Sequence, residues 1–120
     1  MKYILDINDR PFRAILAGIK KVEGRTPTQF DKTPFHKLKP GDLIIFINNV
    51  SNKSLEVKVD FIHHYPNVKE MLEKEGVGNV LSSEPKTIKH GIETYNSLKG
   101  YKEGIEKNGI YAIGLELLKG

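Results

Sequence analysis

The sequence predicts an α+β fold: one small, strongly bent sheet or open barrel of about five or six strands, with helices flanking it at the joins. Two observations carry that expectation. Five segments show the apolar alternation or the short apolar run of a strand. The helical patterns between them do not follow each strand in turn, as a doubly wound sheet would require. A chain of 120 residues, 38% hydrophobic and 28% charged, is long enough for one domain with a real core and too short for two, so residues 1–120 are read as a single domain.

Lys2 to Ile7 is the first strand, with Tyr3, Leu5 and Ile7 on one face. Asn8 and Asp9 are placed to cap a helix with Pro11 in its first turn and Phe12, Ile15 and Leu16 on its apolar face. Gly18 sits where a left-handed residue ends such a helix, and Lys20 to Arg25 is the next strand. Residues 26–41, interrupted by Pro27, Pro34 and Pro40, read as a long excursion held to the body by Phe30 and Phe35. Lys39-Pro40-Gly41-Asp42 has the Pro and Gly of a type II turn. It launches Leu43 to Ile47, an apolar run suited to a strand covered on both sides.

After a polar loop, Leu55, Val57, Val59 and Phe61 alternate with Glu56, Lys58 and Asp60, giving one core face and one wet face. Asn67 and Glu70 have capping-box spacing at the start of a short helix with Val68, Met71 and Leu72 inward; Gly76 and Gly78 break it. Ser82 to Pro85 opens a longer helix with Pro in its first turn and a buried stripe of Ile88, Ile92, Tyr95 and Leu98. Gly100 ends it, and Tyr101 to Asn108 adds one further turn. The last strand, Ile110 to Leu118, sets Tyr111, Ile113, Leu115 and Leu117 against Ala112, Gly114 and Glu116.

The composition narrows the chemistry. The absence of cysteine excludes disulfides and thiolate metal sites. The longest apolar run is far too short to span a membrane, and Asp6 interrupts the N-terminal apolar stretch that a secretion signal would need, so a cytoplasmic location without membrane contact is expected. A net charge of +4 is compatible with a nucleic-acid partner without requiring one. Only Arg10, Arg13 and Arg25 among the nineteen basic residues carry the planar guanidinium fork suited to phosphate or carboxylate.

The stretch that looks built for more than packing is Gly18-Ile19-Lys20-Lys21-Val22-Glu23-Gly24-Arg25. Arg25 is either a fork for an anionic ligand or a structural partner of Glu23, and the two roles are compatible. Strand alternation puts Lys21, Glu23 and Arg25 on one face; Lys20 reaches that face only from the turn after Gly18 or beside a bulge. A carboxylate between two cations has its pKa pushed down, so Glu23 suits an orienting or ligand-accepting role better than proton transfer. Tyr101 is either a base-stacking residue at the cleft or a core tyrosine. Adjacent His63 and His64 point to opposite faces of a strand, so no metal site is expected. Gly76-x-Gly78 lacks the strand and the Lys-Ser/Thr of a phosphate loop.

The spacing Gly18-x-Lys20-x-x-Glu23-x-Arg25 resembles the G-x-K-x-x-E-x-R motif of the ASCH domain family. The likeness continues through the Lys-Pro-Gly-Asp turn, the strong strand after it, and Tyr101 through Leu117. It implies a PUA-like barrel whose motif lines a cleft that binds RNA or nucleotides. The family pattern points to Lys20 where alternation favours Lys21, so Lys20, ranked first, Lys21, Glu23, Arg25 and Tyr101 are the candidate ligand-binding residues, with no cofactor expected. Some relatives are amidohydrolases that deacetylate acetylcytidine, and others are linked to RNA cleavage. If this chain were such an enzyme, Lys20 and Glu23 would be the catalytic candidates. Those amidohydrolases use a Lys, a Thr and a Glu; Lys20 matches the first. Glu23 stands where the Thr belongs and cannot serve as a hydroxyl nucleophile; Glu70, Glu73 and Glu75 lie in the region of the Glu. A protein-interaction module using Phe30 and Phe35, and so a protein partner, is the remaining alternative.

Overall fold

A computed structural model describes residues 1–120. Five strands, β1 (Lys2–Ile7), β2 (Val22–Arg25), β3 (Leu43–Asn48), β4 (Ser54–Tyr65) and β5 (Ile110–Lys119), form one sheet in the order β1-β3-β4-β5-β2. The β1–β3 pair is parallel and the other pairs are antiparallel. The sheet curls into an open half-barrel, an α+β fold. Its two free edges, β1 and β2, are bridged by the Arg25 guanidinium, which donates to the Asp6 carbonyl at 2.8 Å. No helix is long and apolar enough to cross a membrane.

The five helices are α1 (Asp9–Leu16), α2 (Val68–Glu75), α3 (Val77–Val80), α4 (Ile88–Ser97) and α5 (Tyr101–Asn108). Asn8 occupies the α1 cap position, yet its side chain does not cap the helix. Instead its Oδ1 accepts from Asn49 Nδ2 at 2.6 Å, fastening the helix start to the loop after β3. Leu16 is 40% exposed rather than buried with Phe12 and Ile15. The Asn67 cap forms as its spacing indicates, accepting from the Glu70 amide at 2.9 Å. The glycine break after α2 yields the separate short helix α3. The longer helix begins at Ile88 rather than at Ser82, because Thr87 Oγ1 accepts from the His90 amide and caps it there. Its most buried residues are Gly91 and Tyr95, with Ile88 and Ile92 only half-buried. Tyr101 to Asn108 forms a full eight-residue helix rather than a single turn.

Two cores flank the sheet. Leu5, Ile7, Phe12, Ile15, Phe35, Ile44, Phe46, Leu55 and Val57 fill the first, under α1 and the 26–41 excursion. The second lies under α2 to α5 and includes Val22, Met71, Leu72, Val80, Ile105 and Ile110. This arrangement corrects two expectations. Phe61 does not share a face with Val59: a register shift between them at Asp60 turns it into the second core, while Ile62 packs on the first. β5 serves both cores, because Ile110 and Ala112 belong to the second while Ile113 belongs to the first. β3 is fully buried only on its Ile44–Phe46 side, and Leu43, Ile45 and Ile47 are half-exposed.

Phe35, wholly buried in a single 3-10 turn, and the buried Leu38 hold the excursion to the first core; Phe30 is 54% exposed, with the Lys99 ammonium 4.1 Å above its ring and Gly100 beside its edge. Gly41, at φ +94°, and the Asp42 amide bonded to the Lys39 carbonyl close the turn into β3.

Candidate functional site

The residues after α1 are directed by Gly18. Its φ of +76° reverses the chain, and the Ile19 and Lys20 amides both donate back to the Ala14 carbonyl. Lys20 therefore precedes β2 instead of lying in it, and the strand starts at Val22. Strand alternation does not govern Lys20, so its side chain turns to the same place as those of Glu23 and Arg25. Lys21 is exposed and stands outside the cavity those three residues line.

All three are almost fully buried, at 4% exposure for Lys20, 7% for Glu23 and 8% for Arg25. They form a row. Lys20 Nζ lies 3.2 Å from Glu23 Oε1, and Arg25 Nε donates to Glu23 Oε2 at 2.8 Å. Lys20 also donates to the Val80 carbonyl at the end of α3. Arg25 packs its guanidinium 5.6 Å from the centre of the Phe46 ring. Every buried side-chain donor and acceptor of the chain is satisfied.

Burial and charge set the titration of the row. Burial pulls the Lys20 ammonium below its ordinary range, and the neighbouring Glu23 only partly offsets it. For Glu23 burial works upward, but Lys20 and Arg25 together outweigh it and hold the carboxyl below its ordinary value. Burial likewise opposes the Arg25 charge; Glu23 overcomes that, and the guanidinium ends above its usual range.

The row forms one wall of a cavity of about 450 Å³. Residues at the end of β1 and the start of α1 form a second side, and the 80–83 segment with α4 forms a third. The charged side chains around it are Arg10, Lys20 and Arg25 against Asp6 and Glu23, leaving one positive charge in excess. Tyr95 and Tyr101 complete the lining, with ring centres 6.2 Å apart and planes inclined by 27°. Burial pushes the Tyr101 phenol up to about 12 despite the Arg25 charge nearby. The Tyr95 phenol is also raised, first by burial and then by Glu23. Gly24 is required here: a methyl group on its Cα would lie 2.6 Å from the Tyr95 hydroxyl.

The structure thus brings Lys20, Glu23, Arg25 and Tyr101 to one cavity and leaves Lys21 outside it. The other residues weighed in the sequence lie elsewhere. Glu70, Glu73 and Glu75 do not line the cavity; Glu75, the last residue of α2, accepts from Tyr65 and lies 2.7 Å from His63 Nδ1 of β4. The hydroxyls nearest the motif in sequence, Thr26 and Thr28, are also engaged elsewhere: Thr26 donates to the Gly109 carbonyl, and the Thr28 hydroxyl accepts from the Phe30 and Asp31 amides. His64 Nε2 meets the Asn108 carbonyl, and no group of three or more potential metal ligands exists. Ser83, Thr94 and the Asp6 carbonyl are cavity residues that pattern reading did not find. They come from a loop, a helix and a strand edge that only the fold brings together.

Similarity to known proteins agrees with this architecture. The chain is similar to a hypothetical protein of known crystal structure, PH0355, at 39% identity over 98% of this chain and 100% of that one, with a TM-score of 0.81. It is also similar to the protein PF0455 from Pyrococcus furiosus, solved by NMR in solution, at 33% identity over the full length of both chains, with a TM-score of 0.73. No curated protein matches it. The model of the ASCH domain matches residues 5–119, from the second half of β1 through β5, and includes the Lys20–Glu23–Arg25 row. With that match over nearly its whole length, on a half-barrel of the PUA-like open type, the chain belongs to the ASCH domain family.

Proposed function

We propose that this domain binds RNA or a nucleotide, with Lys20 and Arg25 meeting phosphate and Glu23 holding both cations in place. The observation that carries this reading is the excess of one cation in a cavity whose deepest charged groups are locked by their own salt bridges. A cation held in this way is pre-organised, so binding an anion costs it little further ordering. Arg25 spends Nε on Glu23 and one terminal nitrogen on Asp6. Its other terminal nitrogen is left for a ligand oxygen. Membership of the family supports nucleic-acid binding in general terms.

A hydrolytic reading has one observation in its favour, the lowered pKa of Lys20. Against it, the position of the amidohydrolase threonine is Glu23, no hydroxyl from Thr26 or Thr28 enters the cavity, and none of Glu70, Glu73 or Glu75 reaches it. A protein-docking role has little to rest on, because Phe30 is a single exposed aromatic already covered by Lys99.

The test is fluorescence anisotropy of a short labelled single-stranded RNA at two salt concentrations, with wild type, Arg25→Ala and Arg25→Lys. Loss of one phosphate contact weakens binding to all sequences alike and lowers the salt slope by about one. Arg25→Lys keeps the charge and loses the fork, so it falls between. Folded variants that bind as wild type does, with the same slope, overturn the reading.

A further inference from the structure

The cavity has two chemically different sides. The β2 side carries the charged row. A second side, from the 80–83 segment and α4, joins the row where Lys20 donates to the Val80 carbonyl; among its lining residues are Ser83 and Thr94 and no charged side chain. Behind them stands His90, one helical turn before Thr94. Its Nε2 lies 2.9 Å from Ser83 Oγ and 3.4 Å from Thr94 Oγ1. A ring nitrogen carries either one lone pair or one proton, so it serves one hydroxyl fully at a time. The distances give it to Ser83. Each hydroxyl has one donor and two acceptor positions, so both keep hydrogen-bonding capacity for a ligand in the cavity.

We infer that Ser83 and Thr94, anchored on His90, form the wall that reads the uncharged end of a single nucleotide whose phosphate lies on Lys20 and Arg25. The inference rests on the phosphate reading above and extends it to the other half of the ligand. The one ammonium beside the hydroxyl wall, Lys86, is already engaged by Glu84 at 2.6 Å and by the Ser83 carbonyl at 3.3 Å, so a phosphate there would find less free counter-charge than on the row. A base edge or a ribose hydroxyl finds both donors and acceptors there. A volume of about 450 Å³ suits one compact ligand and not a duplex, and the Tyr95–Tyr101 pair supplies an aromatic surface between the two walls. The ligand class is therefore a nucleoside monophosphate, free or at the end of a chain. His90 does not line the cavity and is a positioning residue.

The experiment is calorimetric titration with the 5′-monophosphates of adenosine, cytidine, guanosine and uridine, and separately with inorganic phosphate and a short single-stranded RNA. Wild type is expected to bind the four nucleotides unequally and each more tightly than inorganic phosphate. Ser83→Ala and Thr94→Val, both mild changes at half-buried positions, should narrow the spread among the four by about five-fold for each hydrogen bond lost, leaving phosphate affinity unchanged. His90→Ala should narrow it as Ser83→Ala does, and His90→Gln, which keeps a polar group in reach, should recover part of it. Equal binding of the four bases by wild type, or an unaltered base ranking in Ser83→Ala and Thr94→Val, overturns the inference while leaving the phosphate reading intact. Failure of wild type to bind phosphate, nucleotides or RNA removes the phosphate reading, and this one with it.

Discussion

Replacing Glu23 by Gln keeps the shape of the buried row and removes the charge at its centre. At an effective dielectric constant of about 20, the 3.2 Å contact to Lys20 and the 2.8 Å contact to Arg25 correspond to about 5 and about 6 kcal/mol of attraction. Most of this offsets the cost of taking three charges out of water. Removing the carboxylate leaves two cations buried at 4% and 8% exposure with their desolvation uncompensated. The expected loss is about 3–5 kcal/mol. With a urea slope of about 2 kcal/mol/M, the unfolding midpoint should fall by about 2 M. Removing one cation as well, in Glu23→Gln/Lys20→Met, should recover part of the loss, because the two changes act on one network. A midpoint shift below about 0.5 M for Glu23→Gln, or strict additivity in the double variant, refutes the view of the row as an energetic unit. The pH dependence has a definite sign. A carboxyl held below its ordinary 4.5 in the folded state stabilises above that pH, and the stabilisation is lost as pH falls through the folded value. The stability of wild type should therefore fall more steeply than that of Glu23→Gln below about pH 4.5.

Gly24→Ala should cost about 1–3 kcal/mol by overpacking against the Tyr95 hydroxyl, read as a lowered urea midpoint; an unchanged midpoint would mean that Tyr95 moves aside freely. Tyr65 and Tyr101 are pushed up to about 12 in the fold, chiefly by burial. Both hold their protons longer than in the unfolded chain, so their stabilisation is present below pH 10 and lost as pH rises from 10 to 12. Phenolate absorbance in Tyr65→Phe and Tyr101→Phe should each lack one late-ionising step, and an early step missing instead would contradict the burial described here.

Local signals were legible wherever local chemistry decides the outcome. The β1 alternation, the Asn67 cap and the left-handed Gly18 and Gly41 are set within a few residues. The face of Phe61 was not, because one extra residue at Asp60 inverts everything after it. Nor was the sharing of β5 between the two cores, since alternation separates two faces without saying what covers each. For Lys20, alternation along β2 pointed the wrong way, because the lysine lies before the strand, where the turn at Gly18 sets its direction. Ser83 and His90 carry no pattern at all. Their spacing acquires meaning only when α4 is laid across the open edge of the sheet.

β2 is bonded only to β5, with Glu23 opposite Ile113 and Arg25 opposite Tyr111, partners translated about ninety residues later. β5 also supplies Ile113 to one core and Ile110 and Ala112 to the other. A chain growing on the ribosome therefore carries β2 without a strand partner until β5 has emerged, and then completes both cores and the cavity together. Such long sequence separation makes closure slow and all-or-none. A nascent chain truncated before residue 110 should hold no partly formed site, so ligand binding reports complete folding of the domain.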